Sequence, residues 1–282
     1  MTFDITSIVT QTKWIKHNNI WISKEKIEVE SAFNDFDQNQ LFEVEDNSWW
    51  FKYRAKCIKS FILKYIDKDR FICDIGGGNG YTTKIMQNSG KEMVLIEPSI
   101  QACYNGSKRG LNNIICGTLN DTDFNDESID SCLLLDVLEH IEDDKAFLDL
   151  INKKIKASGE LLITVPAFML LWSSEDTYAG HYRRYTKKQL GKLLQEQKFE
   201  VLHINYFFSF LYFPILFFRV FKDKLTKRKE LKVDDAARKQ LEFQSKFVSF
   251  FLKKIEEFEY KRLLKNKKNL FGSSIIAIAR KK

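Results

Sequence analysis

The chain has 282 residues, 44% of them hydrophobic and 24 of them phenylalanine, enough for one large α/β domain with additions. Five cysteines, odd in number and without a C-x-x-C pair, exclude a disulfide framework and read as reduced core residues of a cytosolic protein. The net charge of +7 is uneven: Lys222 to Lys282 carries 19 Lys and Arg against 8 Asp and Glu, leaving 26 against 30 elsewhere. A mildly acidic front argues against a nucleic-acid groove there, and a basic tail argues for an anionic surface near it.

The start, MTFDITSIVTQTKW, lacks a basic region followed by an apolar run, so no signal peptide is expected. Trp14, Ile15, Ile20, Trp21 and Ile22 flank Asn18-Asn19 and suggest a short strand or hairpin. From Phe42 to Ile66 the pattern becomes helical, with Trp49, Trp50, Tyr53, Cys57, Phe61 and Ile62 recurring at three- and four-residue steps.

The most informative stretch is Arg70 to Ser99. Phe71 to Ile75 reads as a buried strand, Gly76, Gly77, Gly78 and Gly80 as a turn, and Tyr81 as the start of a helix. Glycines at a strand-to-helix turn let a ligand approach the backbone, and the helix start offers free N–H groups. A second strand, Glu92 to Ile96, ends on Glu97, and an acidic residue about twenty positions on suits a ribose diol. The third glycine of a dinucleotide fingerprint is replaced by Tyr81, and no P-loop pattern is present. The residues therefore imply a nucleoside-type ligand.

This D-x-G-x-G-x-G turn with its acidic strand end resembles motifs I and II of the class I S-adenosylmethionine-dependent methyltransferases. The resemblance implies a Rossmann-like α/β fold: a seven-stranded sheet with helices on both faces, an N-terminal helical lid and a C-terminal helical insertion before the last strand. It divides the chain into an extension and lid (1–66), a core (67–205 with 270–282) and an apolar, basic helical insertion (206–269). In similar enzymes an E-x-x-x-x-W-W/F-x-x-x-R segment closes over the cofactor. Here that is Glu45, Trp49, Trp50, Phe51 and Arg54, with Arg54 expected to meet the methionine carboxylate. The resemblance implies cofactor contacts at Trp50, Arg54, Asp74, Gly76, Gly78, Gly80, Tyr81, Glu97 and Pro98.

A helix from Ile100 to Arg109 precedes a third strand, Asn113 to Cys116. The usual acidic adenine contact after that strand is missing, leaving backbone N–H groups, Thr118 or Leu119. Ser131 to Leu135 reads as a buried strand, and Asp136-Val137-Leu138-Glu139-His140 as the opening of a helix with acids at its start. The segment resembles motif IV, nearest the transferred methyl, which adds Asp136 and Val137 to the cofactor set. A helix (Lys145 to Lys156) and a strand (Glu160 to Pro166) follow.

Leu171 to Leu190 is dense in polar groups, among them Asp176, His181, Arg183, Arg184 and Tyr185, and Thr186 caps a new helix. A G-H-x-R-R-Y-T segment here resembles a subgroup tied to glycan and lipid-linked pathways. Phe199 to Asn205 reads as a sixth strand. Tyr206 to Phe221 is nearly all apolar and is followed by Lys222, Lys224, Lys227, Arg228, Lys229 and Lys232. It reads either as an interfacial anchor on an anionic leaflet or as a buried helix or dimer contact. Ala236 to Leu264 reads as a long basic amphipathic helix, and Ser273 to Arg280 as the last strand.

A hydroxyl acceptor must lose its proton to a base or a metal-bound group. His140, His181 and Asp136 are the catalytic candidates. Glu139 and His140, with His181 as a further ligand, are candidates for a divalent metal, since Asp136, Glu139 and His140 would share one helix face. The cluster resembles the E-x-x-E-H site of small-RNA 2′-O-methyltransferases and ubiquinone-pathway O-methyltransferases. The expected function is methyl transfer from S-adenosylmethionine to a hydroxyl or amine of a small-molecule, glycan or lipid-linked acceptor. The alternatives are a metal-assisted RNA 2′-O-methyltransferase and a non-catalytic cofactor-binding scaffold. The expected place is the cytoplasm, peripheral at the inner membrane face through 206–232, without nucleic acid as partner.

Overall fold

A run of side chains apolar on both sides, as at Ile72–Ile75, forms a strand only where both faces of a sheet are covered. A computed structural model of the chain describes residues 13–23, 35–225 and 246–282, and in it this strand lies at the centre of a nine-stranded sheet. The strands are β1 (Trp14–His17), β2 (Ile20–Ser23), β3 (Ile72–Ile75), β4 (Met93–Glu97), β5 (Ile114–Cys116), β6 (Ile129–Leu135), β7 (Ile155–Pro166), β8 (Phe199–Phe207) and β9 (Ser274–Lys281). The helices are α1 (Asp35–Glu45), α2 (Trp49–Tyr65), α3 (Tyr81–Gln87), α4 (Ile100–Lys108), α5 (Asp144–Lys154), α6 (Ser174–Tyr178), α7 (Lys187–Glu196), α8 (Ser209–Leu225) and, last, α9 (Lys246–Leu264).

The sheet order is β1-β2-β5-β4-β3-β6-β7-β9-β8. Strands β5, β4, β3, β6 and β7 are parallel, and β9 lies antiparallel between β7 and β8. The order reverses between β3 and β6, so a crevice opens beyond their carboxyl ends. Alternate side chains sort to the two faces. Cys73, Ile75, Val94 and Ile96 meet α5 and α7 through Leu148, Ile151, Leu190 and Leu194. Ile72, Met93 and Leu133 meet Cys57, Ile58 and Phe61 of α2 and Leu263 of α9. A smaller cluster seats Cys103 of α4 against Leu95, Ile114 and Cys116. All five cysteines are free and buried.

Four expectations change. The sheet has nine strands rather than seven, because the hairpin at Asn18-Asn19 joins it, β2 running parallel to β5. Trp14, 2% exposed, makes that edge part of the main core. Phe42 to Ile66 is not one helix: α1 and α2 are separated at Asp46-Asn47-Ser48, where Ser48 turns to an extended conformation. Asp136 does not open a helix. Its φ of 60° breaks the chain there, Leu138–His140 form one 3-10 turn, and α5 begins later, where the Asp143 side chain caps it. Asp143 accepts from the Ala146 N–H, a stronger start signal than the acids at 136 and 139.

The fourth change concerns the apolar stretch. Tyr206 and Phe207 end β8, Phe208 turns the chain at φ 54°, and all three are buried. Only Ser209 onward is helix α8. Residues 226–232 of the basic run and 236–245 of the predicted amphipathic helix lie outside the described residues. The Phe208 turn is fixed by Glu259 of α9, 4% exposed. Its carboxylate accepts from Phe208 N at 3.0 Å, Ser209 N at 2.6 Å and the Tyr53 hydroxyl at 2.7 Å. One side chain thus caps α8 and ties α9 to α2. Glu259→Ala strands three buried donors and is expected to cost on the order of 3 kcal/mol in urea unfolding. A loss below about 1 kcal/mol would show the carboxylate to be incidental.

Candidate active site

The turn after β3 alternates left-handed residues: Gly76, Gly78 and Gly80 have φ of 69°, 55° and 71°. The three glycines serve different ends. A Cβ on Gly76 would strike Val137 at 2.8 Å, and one on Gly80 would strike Leu111. A Cβ on Gly78 would meet nothing within 4 Å, so this residue presents bare backbone to open space. That space is a cavity of about 700 Å³ at the carboxyl ends of β3, β4, β5 and β6.

Two buried carboxylates shape the turn. Asp74, 1% exposed, accepts from the Thr83 hydroxyl at 2.5 Å, and its Oδ1 has no partner among the described residues. Burial pushes its pKa up to about 6, against the lowering effects of Thr83 and Arg54. Glu97 accepts from Gly78 N at 3.0 Å and Ser99 N at 2.9 Å, binding the turn to the end of β4. Burial pushes it up to about 7, the two backbone bonds opposing this. Each Glu97 oxygen keeps acceptor capacity for a ligand hydroxyl.

Of the predicted cofactor residues, Trp50, Arg54, Asp74, Gly76, Gly78, Tyr81, Glu97, Pro98, Thr118, Leu119, Asp136 and Val137 line the cavity. Gly80 does not; its role is to let Leu111 pack. Thr118 donates its hydroxyl to Asp121 Oδ2 at 2.8 Å, so the acid after β5 exists but serves its own turn. The carboxylate beside Arg54 is a protein group: Arg54 Nη2 lies 2.7 Å from Asp136 Oδ2, and Thr164 Oγ1 bonds both partners. Arg54 is buried, and its Nε has no partner among the described residues.

Part of the cavity wall is not visible in sequence. Gln38, Leu41 and Glu45 of α1 complete the cavity wall. Arg109 holds them through Glu45 at 2.6 Å and Asp46 at 2.8 Å, with its guanidinium over the Phe42 and Tyr81 rings. Asn79 donates to the Gln38 carbonyl at 3.0 Å and accepts from Asn105 at 2.9 Å. The clue was Asn79 inside the glycine turn, a residue that bonds readily to backbone.

The reactive candidates form layers. His140 lines the cavity, with Gly180 and Tyr182 beside it. His181 stands behind it, the two rings edge to face at 4.6 Å. His181 Nδ1 meets Asp176 Oδ1 at 2.9 Å, and Arg184 grips both oxygens of Asp176. Burial raises Asp176, but hydrogen bonds from His181 and Arg184 outweigh it and hold the carboxyl well below its usual range. Arg183 and Tyr185 both bind Asp144. The G-H-x-R-R-Y segment thus fastens its own loop, and its polar density is largely structural.

Glu139, His140 and His181 bring ligand atoms within 4.8 Å of one another. Asp136 stays outside this group, because the shared helix face it was assigned does not form and Arg54 holds it. Glu139 is 1% exposed, its Oε2 has no partner among the described residues, and burial holds its pKa well above the usual range. Burial and then the His181 ring lower His140 to about 4.

The sequence matches the family of methyltransferase domains over residues 49–204, more than half of the chain. No curated protein sequence matches it. A SAM-dependent methyltransferase from Archaeoglobus fulgidus aligns over 86% of this chain and 99% of its own, with 19% identity and a TM-score of 0.52. One from Thermotoga maritima, described as a possible histamine N-methyltransferase, aligns over 89% and 100% with 17% identity and a TM-score of 0.52. Phosphoethanolamine N-methyltransferase 2 of Haemonchus contortus, solved with S-adenosyl-L-methionine, aligns over 93% of this chain and 61% of its own, at 13% identity and a TM-score of 0.55. At these identities the likeness is one of fold.

Gly78→Arg is expected to abolish S-adenosylmethionine binding in calorimetry, while the left-handed backbone costs about 1–2 kcal/mol of stability. Normal binding would put the ligand elsewhere. The raised carboxylates also set a pH dependence. Asp74 and Glu97 bind protons more tightly when folded, so their stabilising share is lost as pH rises through about 6 and 7. In the ligand-free protein Glu97→Gln is expected to lose less stability than wild type as pH rises from 5 to 7. A Glu97→Gln slope equal to wild type would remove Glu97 from the effect.

Proposed function

The chain belongs to the methyltransferase domain family, and on that premise we propose that its acceptor is a hydroxyl, or an amine, of a small molecule, glycan or lipid-linked compound. Methyl transfer from S-adenosylmethionine is the family's reaction. The acceptor reading is supported by one observation: the cavity lined by Gly78 and Glu97 is also lined by His140, Gly180 and Tyr182.

The chemistry follows from that lining. The sulfonium already activates the methyl carbon, so the protein must align the acceptor in line and exclude water. As the new O–C bond forms, the S–C bond breaks, and the acceptor proton passes to His140. With its pKa lowered to about 4, His140 is neutral near pH 7, so its ring has room for the proton but is a weak base that gains strength only as the transition state develops charge. Asp176 orients His181, and His181 supports the His140 ring from behind.

A second reading gives the same residues a divalent metal. The donor set suits one: two imidazoles and a buried carboxylate with an oxygen lacking a partner among the described residues. Glu139, His140 and His181 would hold it, and it would supply Lewis acidity toward the acceptor oxygen. An RNA 2′-O-methyltransferase is the acceptor class that goes with such a metal, and the acidic excess before Lys222 weighs against it.

Methyl-labelled S-adenosylmethionine offered with lipid, glycan and RNA fractions is expected to label lipid or glycan. In that assay His140→Ala should lower turnover about 100-fold and His181→Ala less, with cofactor affinity unchanged in both. Unchanged turnover in His140→Ala would remove the base. Loss of activity on chelation, restored by an added divalent ion, would favour the metal.

A further inference from the structure

Three segments remote in sequence expose large apolar side chains at one corner of the sheet. Met169 and Leu170, in the turn after β7, are 53% and 65% exposed; Phe213 and Phe217 of α8 are each 57%; Leu270, ahead of β9, is 83%. They adjoin one another. Helix α8 packs on the 169–171 turn. Phe213 meets Phe271 at 4.8 Å, and Tyr212 reaches Phe271 at 5.3 Å and Phe168 at 5.4 Å.

The presentation of Leu270 is built. Asn205 is fully buried; it donates to the Lys267 carbonyl at 2.8 Å and accepts from Asn269 N at 2.8 Å. Asn269 donates to the Tyr206 carbonyl at 2.9 Å. Arg262 donates to the Lys268 carbonyl at 2.9 Å, and Lys187 to the Asn269 carbonyl at 2.8 Å. The loop's backbone polar groups turn inward, and Leu270 is left pointing out beside exposed Lys267 and Lys268.

The segments that supply the patch are themselves free of acids, with Glu175, Asp223 and Glu259 at their borders. Residues 166–174, 206–222 and 260–273, which supply it, contain no Asp or Glu, and the last of them carries Lys261, Arg262, Lys265, Lys267 and Lys268. The sequence after α8 continues with Lys227, Arg228, Lys229, Glu230 and Lys232, a net excess of three cations. Among the described residues no helix is long and apolar enough to cross a membrane.

Apolar side chains in segments with an excess of cations fit the headgroup boundary of an anionic bilayer. We infer that this corner docks the protein on an anionic lipid surface through Met169, Leu170, Phe213, Phe217 and Leu270. The surface revises the predicted anchor, since Tyr206, Phe207 and Phe208 belong to the core. The 169–171 turn leaves β7 at its carboxyl end, the edge where the glycine turn and Asp136 leave β3 and β6. Docking therefore brings the cavity's edge of the sheet to the headgroup layer. The inference is independent of which acceptor is methylated.

The test is sedimentation of the full chain with vesicles of phosphatidylcholine alone or with 30% phosphatidylglycerol. Binding is expected only to the anionic vesicles. Leu270→Ser combined with Phe213→Ser should weaken it at least about tenfold. Lys267→Gln with Lys268→Gln should weaken it about fivefold per lysine. Both variants should bind S-adenosylmethionine like wild type, which establishes that they are folded. No binding to anionic vesicles, or equal binding by the apolar variant, would overturn the proposal. So would a wild-type dimer in light scattering that the apolar variant loses, because a second copy would then cover the patch.

Discussion

The Glu97 carboxylate joins two things that the rest of the site requires to be joined. By accepting from the Gly78 and Ser99 N–H groups it fixes the glycine turn to the end of β4. The turn needs such an external partner, because left-handed residues at Gly76, Gly78 and Gly80 cannot continue a regular ladder. With the turn fixed, α3 starts at Tyr81, Thr83 reaches back to Asp74, and Asn79 reaches across to α1. The glycine turn, α1 and the first helix crossing thus share one anchor.

The wall around His140 is organised by a different rule, in which polar side chains are matched to one another. Arg54 is matched by Asp136, and Arg184 and His181 by Asp176. Desolvation offsets much of the attraction within such pairs, so what they contribute here is an arrangement rather than a large gain in stability. Here the arrangement leaves His140 at the cavity wall with its partner ring behind it.

Much of this was legible in sequence where a local pattern determines a local structure. The buried strand, the glycine turn, the acid at 97 and the Thr186 cap depend on neighbours within a few residues, and they stand as read. What failed depends on distant partners. Asp136 was assigned to a helix face because its spacing from Glu139 and His140 allowed one, and nothing nearby shows that Arg54 will claim it. Tyr206 to Phe208 read as part of an anchor because composition cannot tell an exposed aromatic from one completing a core. The hairpin at Asn18 was legible, but its pairing with β5, nearly a hundred residues on, was not. Likewise His181 was correctly grouped with His140, but its place behind that ring depends on Asp176 and on Tyr182 N bonding the Glu139 carbonyl.

The elevated carboxylates at the turn have a further consequence in proton accounting. Near neutral pH, Asp74 and Glu97 are partly protonated while the cavity is empty of ligand. A cation or hydroxyl donor entering the cavity beside them would favour their ionised forms and so expel protons. Binding of such a cation would then be an ion exchange, the protons released offsetting part of the charge it brings. The heat measured for it includes the ionisation heat of whichever buffer receives the protons.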